Sequence, residues 1–494
     1  MFPRYRRAAR MPLPMLFAMW MMTVWSADPR RAAATDAQPA PTAGIEGVWQ
    51  GSITLPTAKL RLVLKVRRDA ANGALTGTLD SIDQGARDLP IDVLTFESGK
   101  LHFEMKAIGA QYEAHLSDSG EELSGTWSQG PGSLPLTFRR DANLPVVNRP
   151  QEPARPLPYQ ELEVSYDSAP GVKLAATLTL PPGKGPFPAV VLITGSGPQD
   201  RDESLAGHRP FYVLADYLTR RGVAVLRADD RGTGKSTGNY WEGTTSEDFA
   251  TDALAGVRFL AARADIRQGQ IGLVGHSEGG LIAPLAATRA DADAKRIAFL
   301  VLLAGPGVPL ADILVEQHRL ILAAQNVPAH YIDADQVMQR KLLEIARSDS
   351  DTAHAADGMR AVLAAYVETL PEPSRTQMKA QAETQVLLTN SAWMRWMLHY
   401  DPIPTLHRTK IPVLALFGSR DMQVPSAQNL APMRDALRIA GHPANRVIEL
   451  SGLNHLFQAA TTGAPSEYSL IEETLNPRAL QAVGDWIASL ASSK

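Results

Sequence analysis

From residue 188 onward the chain alternates short, almost wholly apolar runs with stretches of helical period, and few folds accept that alternation. Residues 188–194, 223–228, 271–275, 297–304, 411–417 and 446–450 are rich in Val, Ile and Leu, whereas 211–221, 249–264 and 281–289 repeat apolar residues every three or four positions. A strand that is apolar along its whole length is buried on both faces, and strands separated by helices pair in parallel. The pattern therefore predicts an α/β fold, a doubly wound and mostly parallel sheet with helices on both faces. Ligands of such sheets bind beyond the carboxyl ends of the strands, so chemistry is to be sought there.

One of those ends reads Gly275, His276, Ser277, Glu278, Gly279, Gly280, between the strand 271–275 and the helix that follows. G-x-S-x-G is a weak signal alone. Between strand and helix it predicts a sharp turn that holds the Ser277 hydroxyl above the sheet, with small residues required at 275 and 279 because backbone passes close by. A serine hydroxyl needs a base to take its proton and an acid to orient the base. Cysteine chemistry is excluded, because the chain has no cysteine. After the strand 411–417 comes Asp421, and after the strand 446–450 comes His455, each in a loop at a carboxyl end. These two lie 34 residues apart, room for one helix and one strand, whereas Ser277 and Asp421 are separated by 144 residues, which demands an insertion. Residues 308–405 supply it: a stretch of helical pattern expected to form a cap, in which Trp393, Trp396, Met397 and Tyr400 either line a pocket or form the cap's own core. Asp401, before Pro402, is a second candidate acid. Asp230 and Arg231 read as an ion-paired loop brace. The run Gly232–Thr237 superficially suggests a phosphate loop, but Asp229 stands where the P-loop pattern requires glycine, and a carboxylate there repels phosphate.

Residues 160–494 resemble the α/β-hydrolase superfamily, in particular its exported bacterial esterase-like branch, the serine aminopeptidase and dienelactone-hydrolase-like group. The residues that carry the resemblance are Leu192 to Asp202 (LITGSGPQDRD), Asp230 to Ser236 (DRGTGKS), the elbow at Ser277 and the loop of Asp421. The resemblance implies a Ser277, Asp421, His455 triad and an oxyanion hole made by the backbone N–H of Ser196 or Gly197 and of Glu278. It implies an acyl-enzyme mechanism on a small-molecule carboxylic ester, with no cofactor and no metal. A serine exopeptidase or a thioesterase would use the same groups, and a non-catalytic binding protein would keep only the fold. Thr194 stands where relatives commonly carry histidine. Dienelactone hydrolases proper use a cysteine nucleophile, which this chain lacks.

The remaining segments organise the rest. Arg4, Arg6, Arg7 and Arg10 precede an apolar run, residues 11–25, and small residues follow, the layout of a secretory signal over 1–27 with a flexible leader over 28–44. Export to the periplasm or medium is therefore expected, with no integral span after cleavage. Residues 45–141 alternate apolar and polar positions, as in Leu60, Leu62, Leu64, Val66 and in Leu101, Phe103, Met105, which predicts a small antiparallel all-β domain closing toward a sandwich or barrel. Trp49 and Trp127 are expected in its core. Asp80, Asp83 and Asp88 are scattered loop carboxylates expected to be solvated. A Pro-rich linker covers 142–159. With 49 Lys+Arg against 52 Asp+Glu, the net charge of −3 offers no broad attraction to nucleic acid.

Overall fold

The computed structural model describes residues 44–54, 59–69, 73–82, 86–129, 132–141, 148–348, 351–372 and 374–492. The expected signal, all but the last residue of the expected leader, and Asp83 lie outside them. Among the described residues, no helix is long and apolar enough to cross a membrane. The chain divides into two compact units, with the boundary in sequence between Asn148 and Arg149.

The first unit is a nine-stranded antiparallel sheet: β1 (Gly47–Thr54), β2 (Lys59–Arg68), β3 (Leu75–Ser81), β4 (Ala86–Pro90), β5 (Val93–Glu97), β6 (Lys100–Met105), β7 (Ala110–Leu116), β8 (Glu122–Gln129) and β9 (Gly132–Arg140). Its order is β4-β3-β2-β1-β9-β8-β7-β6-β5, so that first and last strands pair in the middle while the two edge strands are consecutive in sequence. The Ile91 amide donates to the Gly77 carbonyl, carrying the β3–β4 pairing one residue past β4. Period-2 alternation sends Trp49, Leu62, Leu64, Val66, Leu101, Phe103, Tyr112, Trp127 and Phe138 to a single shared core. Asp80 departs from the solvated loop position expected of it. Its side chain has no exposure to solvent, and Lys65 bridges it and Asp88 at 2.8 and 2.9 Å. A lysine ammonium thus balances both carboxylates.

The second unit is an eight-stranded sheet of order β10-β11-β13-β12-β14-β15-β16-β17, formed by β10 (Gln160–Ala169), β11 (Val172–Leu180), β12 (Phe187–Ile193), β13 (Ala224–Ala228), β14 (Ile266–His276), β15 (Ile297–Leu303), β16 (Val413–Gly418) and β17 (Arg446–Leu450). β10 and β11 run antiparallel and the strands from β13 to β17 are parallel. Val190, Leu273, Val301 and Leu414 at its centre are almost completely buried, because helices cover both faces. Those helices are α1 (Pro210–Arg220), α2 (Ser246–Ala261) and α3 (Gly279–Ala287), with α10 (Ser426–Ala440) and α11 (Pro477–Ser492) after the cap. Between β15 and β16 the cap comprises α4 (Leu310–Ala324), α5 (Ala329–Arg347), α6 (Thr352–Val367), α7 (Ser374–Thr389), α8 (Ala392–His399) and α9 (Pro402–Arg408). The later part of the Pro-rich stretch is tied to this unit: Arg149 donates to the carbonyls of Gly207 and Ile471, and Gln151 to that of Leu475.

Candidate active site

β14 delivers Ser277 to the carboxyl edge of the sheet. The serine has φ of 54°, a left-handed conformation that an L side chain adopts only where its surroundings over-determine it. Here the Ser277 amide donates to the Leu303 carbonyl of β15 at 2.8 Å, and α3 starts two residues later. The flanking glycines answer to close approach. A Cβ on Gly275 would lie 2.0 Å from the Gly279 carbonyl oxygen, and one on Gly279 would lie 2.2 Å from that of Ile193. Both demands for small residues are met at the predicted positions.

β16 and β17 present the other two predicted side chains. Asp421 is buried. Its Oδ1 accepts the Gln423 and Val424 amides at 2.7 and 2.9 Å, which fixes the carboxylate, and its Oδ2 lies 2.8 Å from His455 Nδ1. The His455 loop is pinned through Asn454, whose side chain exchanges hydrogen bonds with Gln458. Asp401 is elsewhere occupied: it is exposed and caps α9, accepting the Ile403 amide. Among the other buried histidines, His208 contacts Thr474 and the Tyr468 carbonyl, and burial pushes its pKa down to about 4. It is a structural, uncharged ring.

The loop after β12 carries Ser196 and Gly197. Asp230 grips both of its ends, accepting the Thr194 hydroxyl at 2.8 Å and the Gln199 amide at 2.9 Å. The threonine that replaces histidine therefore anchors this loop. Burial holds the Asp230 carboxyl well above its usual range, because only uncharged donors meet it. The expected Asp230–Arg231 ion pair does not form: Arg231 pairs with Asp252 at 2.7 Å and Asp248 at 3.3 Å. Arg201 forks onto Asp229 with two bonds of 2.9 Å, and the Asp229 carboxylate also takes the Lys235 amide. It fills the turn that superficially resembles a phosphate loop.

Glu278 follows the nucleophile candidate, and its carboxyl is buried under the cap. Oε1 accepts the Ser246 hydroxyl at 2.6 Å and the Trp393 indole N–H at 2.8 Å, while Oε2 is buried without a partner. Ser246 Oγ also contacts Met397 Sδ at 3.3 Å. Of the cap aromatics, Trp393 thus reaches the elbow, while Trp396 and Tyr400 stack on each other. Burial pushes the Glu278 pKa up to about 7. These long-range partners of Glu278, like Glu203 beside His276, leave no mark in a motif.

Similarity to known proteins extends over most of the chain. It is 24% identical to Esterase EstD of Thermotoga maritima over 387 residues, which is 77% of this chain and 81% of that protein. Solved structures similar to it include the Pyrococcus furiosus esterase Pf2001, at 17% identity and a TM-score of 0.39, covering 67% of this chain and 94% of that one. Est1E from Butyrivibrio proteoclasticus, solved with ferulic acid bound, matches at 18% identity and a TM-score of 0.37, covering 67% and 98%. The family model for X-Pro dipeptidyl-peptidases matches residues 170–440, more than half of the chain. The chain belongs to the X-Pro dipeptidyl-peptidase (S15) family, and it is a serine hydrolase of the α/β-hydrolase fold.

Proposed function

We propose that the protein hydrolyses carboxylic esters through a Ser277, Asp421, His455 triad. The observation that carries this reading is the buried 2.8 Å contact between His455 Nδ1 and a doubly amide-bound Asp421, on loops beside the strained elbow of Ser277. With Nδ1–H held by the aspartate, the other ring nitrogen is the basic one. His455 takes the Ser277 proton as Oγ attacks the ester carbonyl, and Asp421 stabilises the imidazolium that forms. The tetrahedral oxyanion is held by two backbone N–H groups, those of Glu278 and Ser196. Gly197, next on the same loop, is the alternative donor to Ser196. Collapse transfers the proton to the leaving alcohol and leaves an acyl-serine. Water, deprotonated by His455, then releases the acid and regenerates Ser277.

The name of the similar Thermotoga protein supports esters as the substrate class, and that of the matching family supports a second reading, cleavage of peptides by the same triad. The buried Glu278 carboxyl with its unpartnered oxygen favours keeping that reading. A panel of short-chain aryl esters, X-Pro amides and thioesters on the purified protein separates them. Ser277→Ala is expected to abolish hydrolysis and labelling by a fluorophosphonate probe while circular dichroism is unchanged; retained turnover refutes the assignment. We further propose that the protein is exported, on the strength of the basic residues and apolar run of the first 27 positions. The intact mass of the protein recovered from a periplasmic fraction tests it, and an uncleaved chain confined to the cytosol refutes it.

A further inference from the structure

His276 is buried between three segments of the site, and both of its ring nitrogens face acceptors. Nδ1 lies 2.8 Å from Glu203 Oε1, and Nε2 lies 3.0 Å from the backbone carbonyl oxygen of His455. A neutral imidazole has one N–H and one lone pair, so it satisfies one acceptor and repels the other; only the imidazolium donates to both. The same Glu203 oxygen accepts the Gly195 amide at 2.8 Å. Gly195 in turn lies against the nucleophile: a Cβ built on it would meet Ser277 Cβ at 3.3 Å. Glu203 is itself buried and adopts φ of 53°, a strained conformation for a non-glycine residue, of the kind retained where function demands it.

We propose that Glu203 and a permanently charged His276 form a positioning pair that sets the oxyanion loop, through Gly195, and the loop of the base, through the His455 carbonyl, in register with Ser277. The inference rests on the triad reading for its kinetic consequence and on these contacts alone for the charge of His276. The charged and titratable groups that face His276 are Glu203 on the oxyanion loop, Asp421 after β16, and His455, whose ring centroid is 4.8 Å away. Glu203 supplies most of what opposes the desolvation of the ring, and the net effect holds the His276 pKa above its ordinary value. Neither residue touches the reacting atoms. Each acts by placing groups that do.

Two measurements test the pair. With histidine ring nitrogens labelled, the His276 signal, assigned by its loss in His276→Asn, is expected to report both nitrogens protonated at pH 8 in the wild type and equally in Ser277→Ala. A neutral tautomer at pH 7 overturns the proposal, whatever the fate of the triad. In Glu203→Gln the counter-charge is gone, His276 loses its proton, and one of its two acceptors is left facing a lone pair. A displacement of catalytic groups by about 1 Å costs on the order of 100-fold, so kcat is expected to fall about 100-fold with KM changed less than threefold. The ring-nitrogen measurement repeated on Glu203→Gln is expected to report a single protonated nitrogen on His276. Wild-type kcat, or a His276 still protonated on both nitrogens in Glu203→Gln, overturns the proposal; if Glu203→Gln fails to fold, the ring-nitrogen measurement on the wild type still decides.

Discussion

Replacing Glu278 by glutamine should make the protein's stability less sensitive to alkali, by an amount the site itself sets. The carboxyl is buried, and desolvation raises its pKa from 4.5 to about 7 against the opposing hydrogen bonds from Ser246 and Trp393. A carboxyl whose folded pKa is raised binds more protons folded than unfolded between those two values. Its favourable contribution is therefore complete below pH 4.5 and lost as pH rises through 7. A displacement of that size is worth about 3 kcal/mol at 1.36 kcal/mol per unit. The substituted amide would keep an acceptor for Ser246 and Trp393 and would put an NH2 group where Oε2 now lacks a partner, a change whose cost does not vary with pH. Asp230 and Tyr240 also sense Glu278, and burial raises the pKa of each well above its ordinary value. Urea denaturation of wild type and Glu278→Gln, followed by tryptophan fluorescence, should give a stability difference that moves in favour of glutamine by about 2.5 kcal/mol between pH 5 and pH 8. A difference that stays flat across this range would show that Glu278 ionises freely in the folded state, and would refute the reasoning.

Two further outcomes follow from named contacts. Asp421→Asn keeps the shape of the side chain but leaves His455 free to take the wrong tautomer, so kcat for an aryl ester should fall by about 10⁴-fold with KM little changed; a loss under tenfold would assign the acid elsewhere. Lys65→Met strips the counter-charge from Asp80, whose side chain has no exposure to solvent, and breaking a buried pair from one side costs about 3 kcal/mol. The thermal transition of the β-sheet unit should drop accordingly while hydrolysis of an aryl ester at 25 °C is retained; an unmoved transition would mean that the other partners of Asp80, the Asp88 amide among them, suffice for it.

Periodicity makes the architecture legible where burial is one- or two-sided and regular. β12, β13, β15, β16 and the second half of β14 (271–275) are apolar almost throughout because both faces are covered, and the elbow is legible because Gly275 and Gly279 meet backbone that no side chain could clear. Asp421 and His455 can be located by their place after β16 and β17 alone. The helices α7 and α9 are not foreshadowed: α7 carries Arg, Gln, Lys and Glu around most of its circumference, and α9 is only seven residues long with two prolines, so neither presents a clear apolar stripe. The contacts of Thr194 and Trp393, and the pairing of Glu203 with His276, are not legible in the sequence for a different reason. Their partners lie from 36 to 115 residues away, and no local spacing encodes a pairing that the sheet order creates.

Those unseen contacts share one physical device. The loops of the proposed site cannot satisfy their amides by regular secondary structure, yet the elbow holds Ser277 in a strained conformation that relaxes unless its neighbours forbid it. Buried carboxyl groups supply the missing acceptors: Asp230 at both ends of the loop after β12, Glu203 at Gly195, and Asp421 at Gln423 and Val424. A carboxylate oxygen accepts several amides at once and binds each more strongly than a carbonyl does, so one side chain fixes two segments that are distant in sequence. The cost is desolvation, and it is met in a different way at each position: Asp230 takes a hydroxyl and an amide while burial holds its pKa well above the usual range, Glu203 takes the His276 ring, and Asp421 takes the amides together with His455. Of the three, only the charge on Asp421 bears directly on the proposed chemistry. The other two carboxyls have environments tuned to geometry, which is why replacing Glu203 should register in kcat and hardly at all in KM.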